Sequence, residues 1–264
     1  MTVLDDIIAG VREDLHARTA RVPLADVRRA AESAPEPLDV VARLRDPRLA
    51  VISEVKRSSP SKGHLADISD PAELAASYAA GGAAAISVLT EQRRFNGSLD
   101  DLDAVRARVD VPVLRKDFMV DEYQFFEARV HGADLVLLIV AALDDAQLRS
   151  FLTLTSDLGM TALVETHTAE EVDRALEAGA EVIGVNNRNL KTLDVGLATF
   201  GALAGRIGSD AVKVAESGIL TAADVELVAS QGADAILVGE ALVRHGDPAA
   251  AISEFMAAAE RGIR

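Results

Sequence analysis

Apolar residues recur at steps of three and four near the start of the chain, which is the spacing of one face of a helix. The residues with this spacing are Val3, Leu4, Ile7, Ile8, Val11 and Leu15. Four prolines then divide the following segments: Pro23, Pro35, Pro37 and Pro47. We therefore predict a helical extension over residues 1–48. Because no Gly/Ser-rich linker follows it, we expect this extension to pack on the rest of the chain.

A repeating pattern begins after the extension. At intervals of about fifty residues, a glycine that ends a helical segment is followed by Ala and a short apolar run. The glycines are Gly82, Gly132, Gly179 and Gly232. Glycine adopts the left-handed conformation that terminates a helix, and a repeat of this length indicates a recurring structural unit. Each apolar run that follows such a glycine is a predicted strand.

Further apolar runs lie between these repeats: "AVISEVK", "VPVLRKDF", "MTALVET" and "AVKVAES". They bring the predicted strands to eight, and the segments between strands begin with Asp or Thr and show helical periodicity. Alternating strands and helices, with strands apolar enough to be covered on both faces, predict a (β/α)8 TIM barrel over residues 49–264. An open doubly wound sheet is the structural alternative. We interpret residues 1–264 as a single domain.

The composition excludes several kinds of site and partner. The chain has no Cys, which excludes disulfides, thiolate nucleophiles and cysteine metal sites. None of the five histidines is spaced as a ligand pair, so we expect no metal. The net charge of -15 argues against a nucleic-acid partner. Because no apolar run reaches the roughly 18 residues of a membrane span and the first residues lack a signal-peptide pattern, we expect a cytoplasmic protein without a membrane partner.

Charged residues stand at the ends of the predicted strands, where barrels of this kind carry their active sites. The first, third, fifth and seventh strands end in Lys56, Lys116, Glu165 and Glu216. Alternate residues of a strand share a face, so Glu54 is expected on the face of Lys56, one layer deeper. A single charge at a strand end is more often a solvated flank than a catalyst, but four such ends are harder to dismiss. Two lysines and three carboxylates are predicted to converge on one cavity.

Other residues near the strand ends suggest ligand contacts. Phe95 and Phe118 follow strand ends and could stack on a ring, although core packing is the alternative. The strings "ESGI" and "VGEAL" follow the seventh and eighth strands, where barrels commonly hold a phosphate on backbone N–H groups. Gly218 and Gly239 in these strings let the backbone approach a ligand closely.

A series of ordered motifs resembles the indole-3-glycerol phosphate synthase family of tryptophan biosynthesis. The motifs are "SEVKRSSPSKG", "SVLTEQRRFNGSLDDL", "PVLRKDFMVDEYQ", "ADLVLLIV", "ALVETHT", "IGVNNRNLKT", "VAESGI" and "ILVGEALV". They run from about Ile52 to Val243, and the helical extension also fits the family. Since no anthranilate isomerase domain follows, the resemblance implies the stand-alone form.

The resemblance implies a ring closure of 1-(2-carboxyphenylamino)-1-deoxyribulose 5-phosphate, which loses carbon dioxide and water without a metal or cofactor. Lys116 matches the lysine that protonates the developing alkoxide. Lys56 matches the lysine that holds the substrate carboxylate and assists the later dehydration. Glu165 matches the general base, and Glu54 would pair with Lys56 and fix its position. Which lysine serves which step stays open.

The same resemblance implies how the rest of the substrate is bound. Positions that orient its hydroxyls and neighbouring groups are Asn186, Arg188, Glu216 and Ser217. Positions that bind its phosphate are Ser59, Gly218, Gly239 and Glu240, and the contact at Glu240 would be its backbone N–H. The expected partner is this small anionic substrate, and the chain is expected to be a monomer or a weak homo-oligomer.

Two other functions stay open at this point. One is a different phosphate-binding barrel that uses Lys116 as a Schiff-base nucleophile. The other is a non-catalytic barrel that binds a phosphate ligand. The two lysines repel each other and nearby carboxylates oppose that effect, so the net direction of their pKa shifts also stays open. His167 is interpreted as a surface or supporting residue, and Arg57 and Lys62 as solvent-facing or loop-positioning residues.

Overall fold

The computed structural model describes residues 2–189 and 192–262. In this part of the chain, eight parallel strands close into a barrel. In chain order they are β1 (Ala50–Val55), β4 (Ala85–Leu89), β5 (Val113–Lys116), β6 (Leu135–Ile139), β7 (Thr161–Thr166), β8 (Val182–Asn186), β9 (Val212–Glu216) and β10 (Ala235–Val238). A small antiparallel hairpin, β2 (Ser58–Ser59) and β3 (Gly63–His64), lies in the connection after β1.

Pairing of the last strand with the first closes the ring. Ala50 of β1 lies opposite Ala235 of β10, and on its other edge β1 pairs with β4. Every other barrel strand pairs with its neighbours in chain order. The predicted barrel is therefore confirmed, and the open sheet is excluded.

Helices precede the barrel and connect its strands. They are α1 (Val3–Arg21), α2 (Leu24–Glu32), α3 (Val40–Leu44), α4 (Pro71–Ala80), α5 (Leu99–Arg106), α6 (Glu122–Val130), α7 (Asp145–Asp157), α8 (Ala169–Glu177), α9 (Ala198–Ile207), α10 (Ala222–Ser230), α11 (Glu240–Arg244) and α12 (Pro248–Gly262). A short 3-10 helix covers Val140–Ala142. Among the helices of residues 2–189 and 192–262, none is long and apolar enough to cross a membrane.

Local sequence explains where several helices begin and end. The side chains of Asp70, Asp144, Thr168 and Thr221 each accept a backbone N–H from the first turn of the helix that follows. Such a cap satisfies one of the N–H groups that the helix itself leaves free. The four glycines predicted to end helices, Gly82, Gly132, Gly179 and Gly232, all have positive φ, from 74° to 97°. The helix-ending glycines are therefore confirmed.

The strand period of two divides buried side chains into an inner and an outer layer. On β1, Ile52 belongs to the apolar cluster inside the barrel, whereas Val51 and Val55 belong to the cluster between strands and helices. On β7 the same alternation places Leu163 inside and Val164 outside. Polar residues that continue the inner rows at the carboxyl ends of the strands therefore enter the mouth of the barrel. They are Glu54, Lys116, Glu165, Asn186 and Glu216.

The predicted N-terminal helices pack on the barrel. Ile7 and Val11 of α1 form an apolar cluster with Val120, and Leu15 and Val27 form another with Tyr123. These contacts support a single domain over residues 1–264, which stays a prediction.

A group of surface charges fastens α1 to the loop between β4 and α5. Arg93 of that loop lies 2.8 Å from Glu13 and 2.7 Å from Asp14. We call these two ion pairs the α1 clasp. The carboxylates give Arg93 a raised pKa through their hydrogen bonds, so the guanidinium stays charged.

A buried arginine joins β5 to α6. The Arg115 side chain points outward from the barrel and is fully buried. Its guanidinium lies 3.0 Å from Asp117 and 2.9 Å from Glu127, and it donates a hydrogen bond to the carbonyl of Gln124 at 3.0 Å. Glu127 also pairs with Arg18 of α1 at 2.8 Å. The network therefore connects the N-terminal extension to the strand that carries Lys116.

Replacing Arg115 by Met should lower the free energy of unfolding by about 3–5 kcal/mol, because Asp117 and Glu127 would keep buried charges without their cation. The urea midpoint measures this loss. Arg29→Ala is the control, since Arg29 makes an exposed pair with Asp26 at 3.2 Å, worth about 0–1 kcal/mol. Equal losses in both variants would contradict the assigned role of the buried network.

Candidate active site

A cavity opens at the carboxyl ends of the barrel strands. Its lining includes the predicted residues Glu54, Lys56, Ser59, Phe95, Lys116, Phe118, Glu165, Asn186, Arg188, Ser217 and Glu240. Helix α1 covers one side of the cavity with Val3, Leu4 and Ile7. The predicted residues Glu216, Gly218 and Gly239 lie outside this lining, and Glu216 is buried beneath it, next to Lys116.

Lys116 stands at the centre of the charged residues. Its ammonium lies 3.7 Å from Glu54, 3.9 Å from Glu165 and 3.9 Å from Glu216. Its side chain is 14% exposed, and those of the three glutamates are 2–4% exposed. The strand ends thus bring one lysine and three carboxylates together, as the alternation of the strands predicts.

Burial and charge act on Lys116 in opposite directions. Burial by itself would lower the pKa of the Lys116 ammonium, but Glu54, Glu165 and Glu216 together raise this pKa above its ordinary value. The net direction that the sequence left open is therefore upward for Lys116. The residue is a cation at neutral pH and can act as a proton donor.

Glu54 joins the two lysines. One of its carboxylate oxygens forms an ion pair with Lys56, and the other faces Lys116. Burial raises the pKa of Glu54, but the two lysines outweigh that effect and leave it below its ordinary value. The Glu54 carboxylate is therefore ionised and can hold Lys56 in place.

The pKa of Glu216 is shifted in the opposite direction to that of Glu54. Burial raises the pKa of Glu216 well above its ordinary value, and the charge of Glu165 adds to the effect, although Lys116 opposes it. Gly184 of β8 leaves room for Glu216, because a Cβ at position 184 would collide with the carboxylate. The site therefore favours a protonated carboxyl group at Glu216.

Two aromatic residues stand at the rim of the cavity. The rings of Phe95 and Phe118 have centroids 6.0 Å apart and planes tilted by 42°. Both rings line the cavity, and Phe118 also contacts the cluster of Ile7, Val11 and Val120. An aromatic ligand could contact this pair.

Ser59 and Glu240 line the side of the cavity near the first and last strands. The Glu240 carboxylate accepts hydrogen bonds from Lys62 at 2.6 and 2.7 Å and pairs with Arg244 at 2.8 Å. Lys62 therefore positions a loop by joining the segment after β1 to the start of α11. Ser217 and Gly218 both have positive φ, 62° and 80°, which turns the chain sharply after β9.

Asn186 and Arg188 shape the loop after β8. The Asn186 side-chain oxygen accepts the Arg188 backbone N–H at 3.0 Å, and the Arg188 guanidinium donates to the Leu193 carbonyl at 3.1 Å. Both side chains line the cavity. Arg188 thus presents a cation to the cavity while its guanidinium is held by its own loop.

Comparison with known proteins identifies the family. The family model described as Indole-3-glycerol phosphate synthase matches residues 4–255. The chain belongs to this family. The indole-3-glycerol phosphate synthase of Mycolicibacterium gilvum is 62% identical over 257 residues, which cover 97% of this chain and 94% of that protein. The synthase of Rhodococcus jostii is 60% identical over 256 residues, which cover 97% and 95%. The resemblance inferred from the motifs is confirmed.

Solved structures show the same fold in more distant proteins. A thiamine phosphate pyrophosphorylase from Pyrococcus furiosus superposes with a TM-score of 0.62 at 17% identity, over 86% of this chain and all of that one. A 3-hexulose-6-phosphate synthase from Salmonella typhimurium superposes with a TM-score of 0.61 at 16% identity, over 81% of this chain and all of that one. These similarities establish the barrel fold alone.

Some contacts in this indole-3-glycerol phosphate synthase family member are not predicted by the sequence patterns. The Asn187 side chain donates to the carbonyls of Glu216 at 3.0 Å and Ser217 at 3.1 Å, which ties β8 to β9. Arg57 is only partly exposed, and it pairs with Asp101 and donates to the Ile68 carbonyl at 3.0 Å. Its expected role in positioning a loop is confirmed. The sequence did contain a signal for Asn187, because two consecutive asparagines, Asn186 and Asn187, stand at the end of a buried strand.

His167 is a further buried neighbour of the catalytic candidates. Its side chain is 9% exposed, and Nε2 lies 3.4 Å from Glu165. His167 is therefore not a surface residue. Its position beside Glu165 agrees with the alternative interpretation, that of a supporting residue. The available signal was its position, two residues after Glu165 and four before Glu171, which places it near both carboxylates.

Glu216→Gln should stabilise the protein above pH 7 and have little effect near pH 4. The raised pKa means that the native state binds the proton more tightly than the unfolded state. Stability therefore falls as pH rises from the ordinary value of 4.5 through the raised native value. Glutamine does not ionise, so the gain at high pH should be roughly 1 kcal/mol or more.

Urea midpoints at pH 4 and pH 8 test this expectation. The matched control is Glu226→Gln, which alters a half-exposed carboxylate 3.5 Å from Arg261. The assignment of a protonated Glu216 is wrong if its Gln variant loses more stability at pH 8 than at pH 4.

Proposed function

We propose that this chain closes the indole ring of 1-(2-carboxyphenylamino)-1-deoxyribulose 5-phosphate, with release of carbon dioxide and water, to give indole-3-glycerol phosphate. The observation that carries this proposal is the cationic Lys116, 3.7 to 3.9 Å from three buried glutamates in the mouth of the barrel. Such a cluster supplies an acid and a base in one cavity, which a ring closure with proton transfers requires.

In the proposed first step, an aromatic carbon of the substrate attacks the ketone of the opened sugar, and the carbonyl oxygen becomes an alkoxide. Lys116 donates a proton to this oxygen. Its raised pKa keeps the ammonium protonated until the negative charge develops on the substrate. An acid placed in a cavity that excludes water stabilises that charge more than solvent would.

Lys56 is proposed to hold the carboxylate that leaves as carbon dioxide. Its side chain is more exposed than that of Lys116, 23% against 14%. The ionised Glu54 fixes its position. After decarboxylation, Lys56 is free of the substrate carboxylate and can assist departure of the hydroxyl as water.

Glu165 is proposed to accept the proton that leaves as the ring aromatises. Its Oε2 faces Lys116 at 3.9 Å. Asn186, Arg188, Ser217 and Glu216 are proposed to orient the substrate hydroxyls and neighbouring groups, and Phe95 and Phe118 to contact the aromatic ring. Because lysines and glutamates supply both proton donors and acceptors, we propose that the reaction uses no cofactor.

The phosphate is proposed to lie near Ser59 and the loops that contain Gly218, Gly239 and Glu240. Ser59 offers a hydroxyl, and the other residues offer backbone N–H groups. The Glu240 carboxylate would repel phosphate, but Lys62 and Arg244 pair with it. Lys62 also brings a positive charge to this side of the cavity.

The Schiff-base alternative is less compatible with this site. A lysine nucleophile must be neutral, whereas the three carboxylates raise the pKa of Lys116 and favour its cation. Borohydride treatment with substrate should therefore leave Lys116 unmodified.

We further propose a cytoplasmic location and a monomer or weak homo-oligomer that acts on a small anionic substrate. The family's chemistry and the net charge of -15 support a small-molecule partner and no nucleic acid.

The direct test is incubation of purified protein with the carboxyphenylamino-deoxyribulose phosphate in the presence of a chelator. The expected result is indole fluorescence that grows with time. A folded protein that binds the substrate without producing fluorescence would support the non-catalytic alternative and end this proposal.

Replacing Lys116 by Met should lower kcat by about 10² to 10⁴, because the developing alkoxide would lose its proton donor. Glu165→Gln should lower kcat by a similar factor, because glutamine cannot accept the proton. Steady-state kinetics measures both effects, and Lys213→Met is the control, because Lys213 is not among the residues that line the cavity and pairs with Asp234 at 3.7 Å. A value of kcat within threefold of the unaltered protein in either variant would refute the role of that residue.

Ser59→Ala should raise KM by roughly tenfold and change kcat little, because a hydrogen bond to a charged group is worth about 1.5–3 kcal/mol and is made equally in the ground and transition states. Inhibition by inorganic phosphate should weaken in parallel. Ser253→Ala on α12 is the control. A fall in kcat at constant KM would instead place Ser59 at the reacting atoms.

A further inference from the structure

His167 lies between Glu165 and a second carboxylate, that of Glu171. It follows the last residue of β7, and Glu171 belongs to the first turn of α8. The His167 Nδ1 lies 3.2 Å from Glu171 Oε2, and the His167 backbone N–H donates to the same oxygen at 2.7 Å. The other ring nitrogen, Nε2, lies 3.4 Å from Glu165 Oε1. The three side chains therefore form a row that ends at the proposed base.

The contact with Glu171 determines which ring nitrogen carries a proton. A carboxylate at Nδ1 favours an N–H there, so a neutral ring would turn a bare lone pair on Nε2 toward Glu165. Within the described part of the chain, Nε2 is buried and makes no hydrogen bond. A lone pair facing a carboxylate is repulsive, whereas a protonated Nε2 attracts it. The arrangement of the two carboxylates therefore favours an imidazolium at His167.

The charges around His167 favour the same state. The charged groups that face it are Glu165 from β7, Glu171 from α8 and Lys116 from β5. Burial lowers the pKa of His167, but its hydrogen bond to Glu171 and the charges of the two glutamates outweigh burial and Lys116, so the net shift is upward.

The position of this cation matters because two carboxylates compete beside Lys116. Glu165 and Glu216 each lie 3.9 Å from the ammonium, so Lys116 does not distinguish between them. Two buried carboxylates side by side do not both ionise readily, and one of them retains a proton. His167 pairs with Glu165 and makes no ion pair with Glu216. The His167 cation therefore favours ionisation of Glu165 over that of Glu216.

We propose that His167, held by Glu171, is a positioning residue that keeps Glu165 ionised and oriented as the base, and directs the shared proton to Glu216. The inference rests on the proposed role of Glu165. A purely structural histidine would only fill space at the end of β7, so the pH dependence of the reaction separates the two roles.

The test compares the pH profiles of kcat for three variants. His167→Phe keeps a ring of similar size but removes both nitrogens. It should lower kcat at neutral pH by about tenfold to a hundredfold, because Glu165 would lose a buried cation 3.4 Å away. The acid limb should move to higher pH, because a cation next to the proposed base is lost. KM should stay within threefold.

The other two variants separate the charge of His167 from its packing. His167→Gln should recover part of kcat, since its amide can donate to Glu165. Glu171→Gln should move the acid limb in the same direction by a smaller amount, because it removes the charge that keeps His167 protonated. If His167→Phe does not fold, His167→Gln and Glu171→Gln test the role of His167 without it. His131→Phe is the matched control, since His131 pairs with Asp103 at 2.7 Å on the outer surface.

The inference is overturned if the folded His167 and Glu171 variants keep the acid limb of the unaltered protein, or if only their KM or thermal stability changes. Glu165→Gln, measured in the same assay, shows whether the role of His167 alone is wrong or whether the proposed base is wrong as well. If Glu165→Gln is active, the proposed base is wrong and the inference fails with it. If Glu165→Gln is inactive while the His167 variants have unaltered profiles, only the role of His167 is wrong.

Discussion

The register between neighbouring parallel strands determines which side chains meet in the mouth of the barrel. Lys116 lies opposite Leu89, Glu165 opposite Ile139, and Asn186 opposite Glu216. Because side chains alternate between the two faces of a strand, a shift by one residue would turn each of these groups out toward the helices. Closure through β1 and β10 leaves no free edge where such a shift could be absorbed. The chemistry of the site therefore depends on backbone hydrogen bonds.

The same register creates an electrostatic cost. Three glutamates are buried around Lys116, and Lys56 is partly exposed, so the positive charges do not fully compensate the negative ones. The consequences differ with the neighbours of each carboxylate. Glu54, between two lysines, is ionised, whereas Glu216, next to Glu165, favours its proton. A core selected only for stability would avoid this arrangement, and active sites commonly retain such costs because the groups are needed for catalysis.

Sequence patterns predicted the features that depend on local spacing. The apolar runs and the helix-ending glycines predicted all eight strands; β5 and β9 end at Lys116 and Glu216 as predicted, whereas β1 ends one residue before Lys56 and β7 one residue after Glu165. Features that depend on distant residues were not accessible. Alternation places Arg115 on the outer face, but its partner Glu127 belongs to α6, and the net pKa shift of Lys116 depends on glutamates from three other strands. The short hairpin after β1 has too few residues to show a pattern.

The attachment of α1 to the barrel has a consequence for how the protein responds to salt. This helix covers one side of the cavity, and the α1 clasp attaches it to the loop that also carries Phe95. The helix and Phe95 are thereby held together at one wall of the cavity. The clasp consists of partly exposed charges, which dissolved ions screen, whereas the charges below it are buried and screened much less. Added salt should therefore weaken the attachment of α1 more than it weakens the ion pairs buried in the mouth of the barrel.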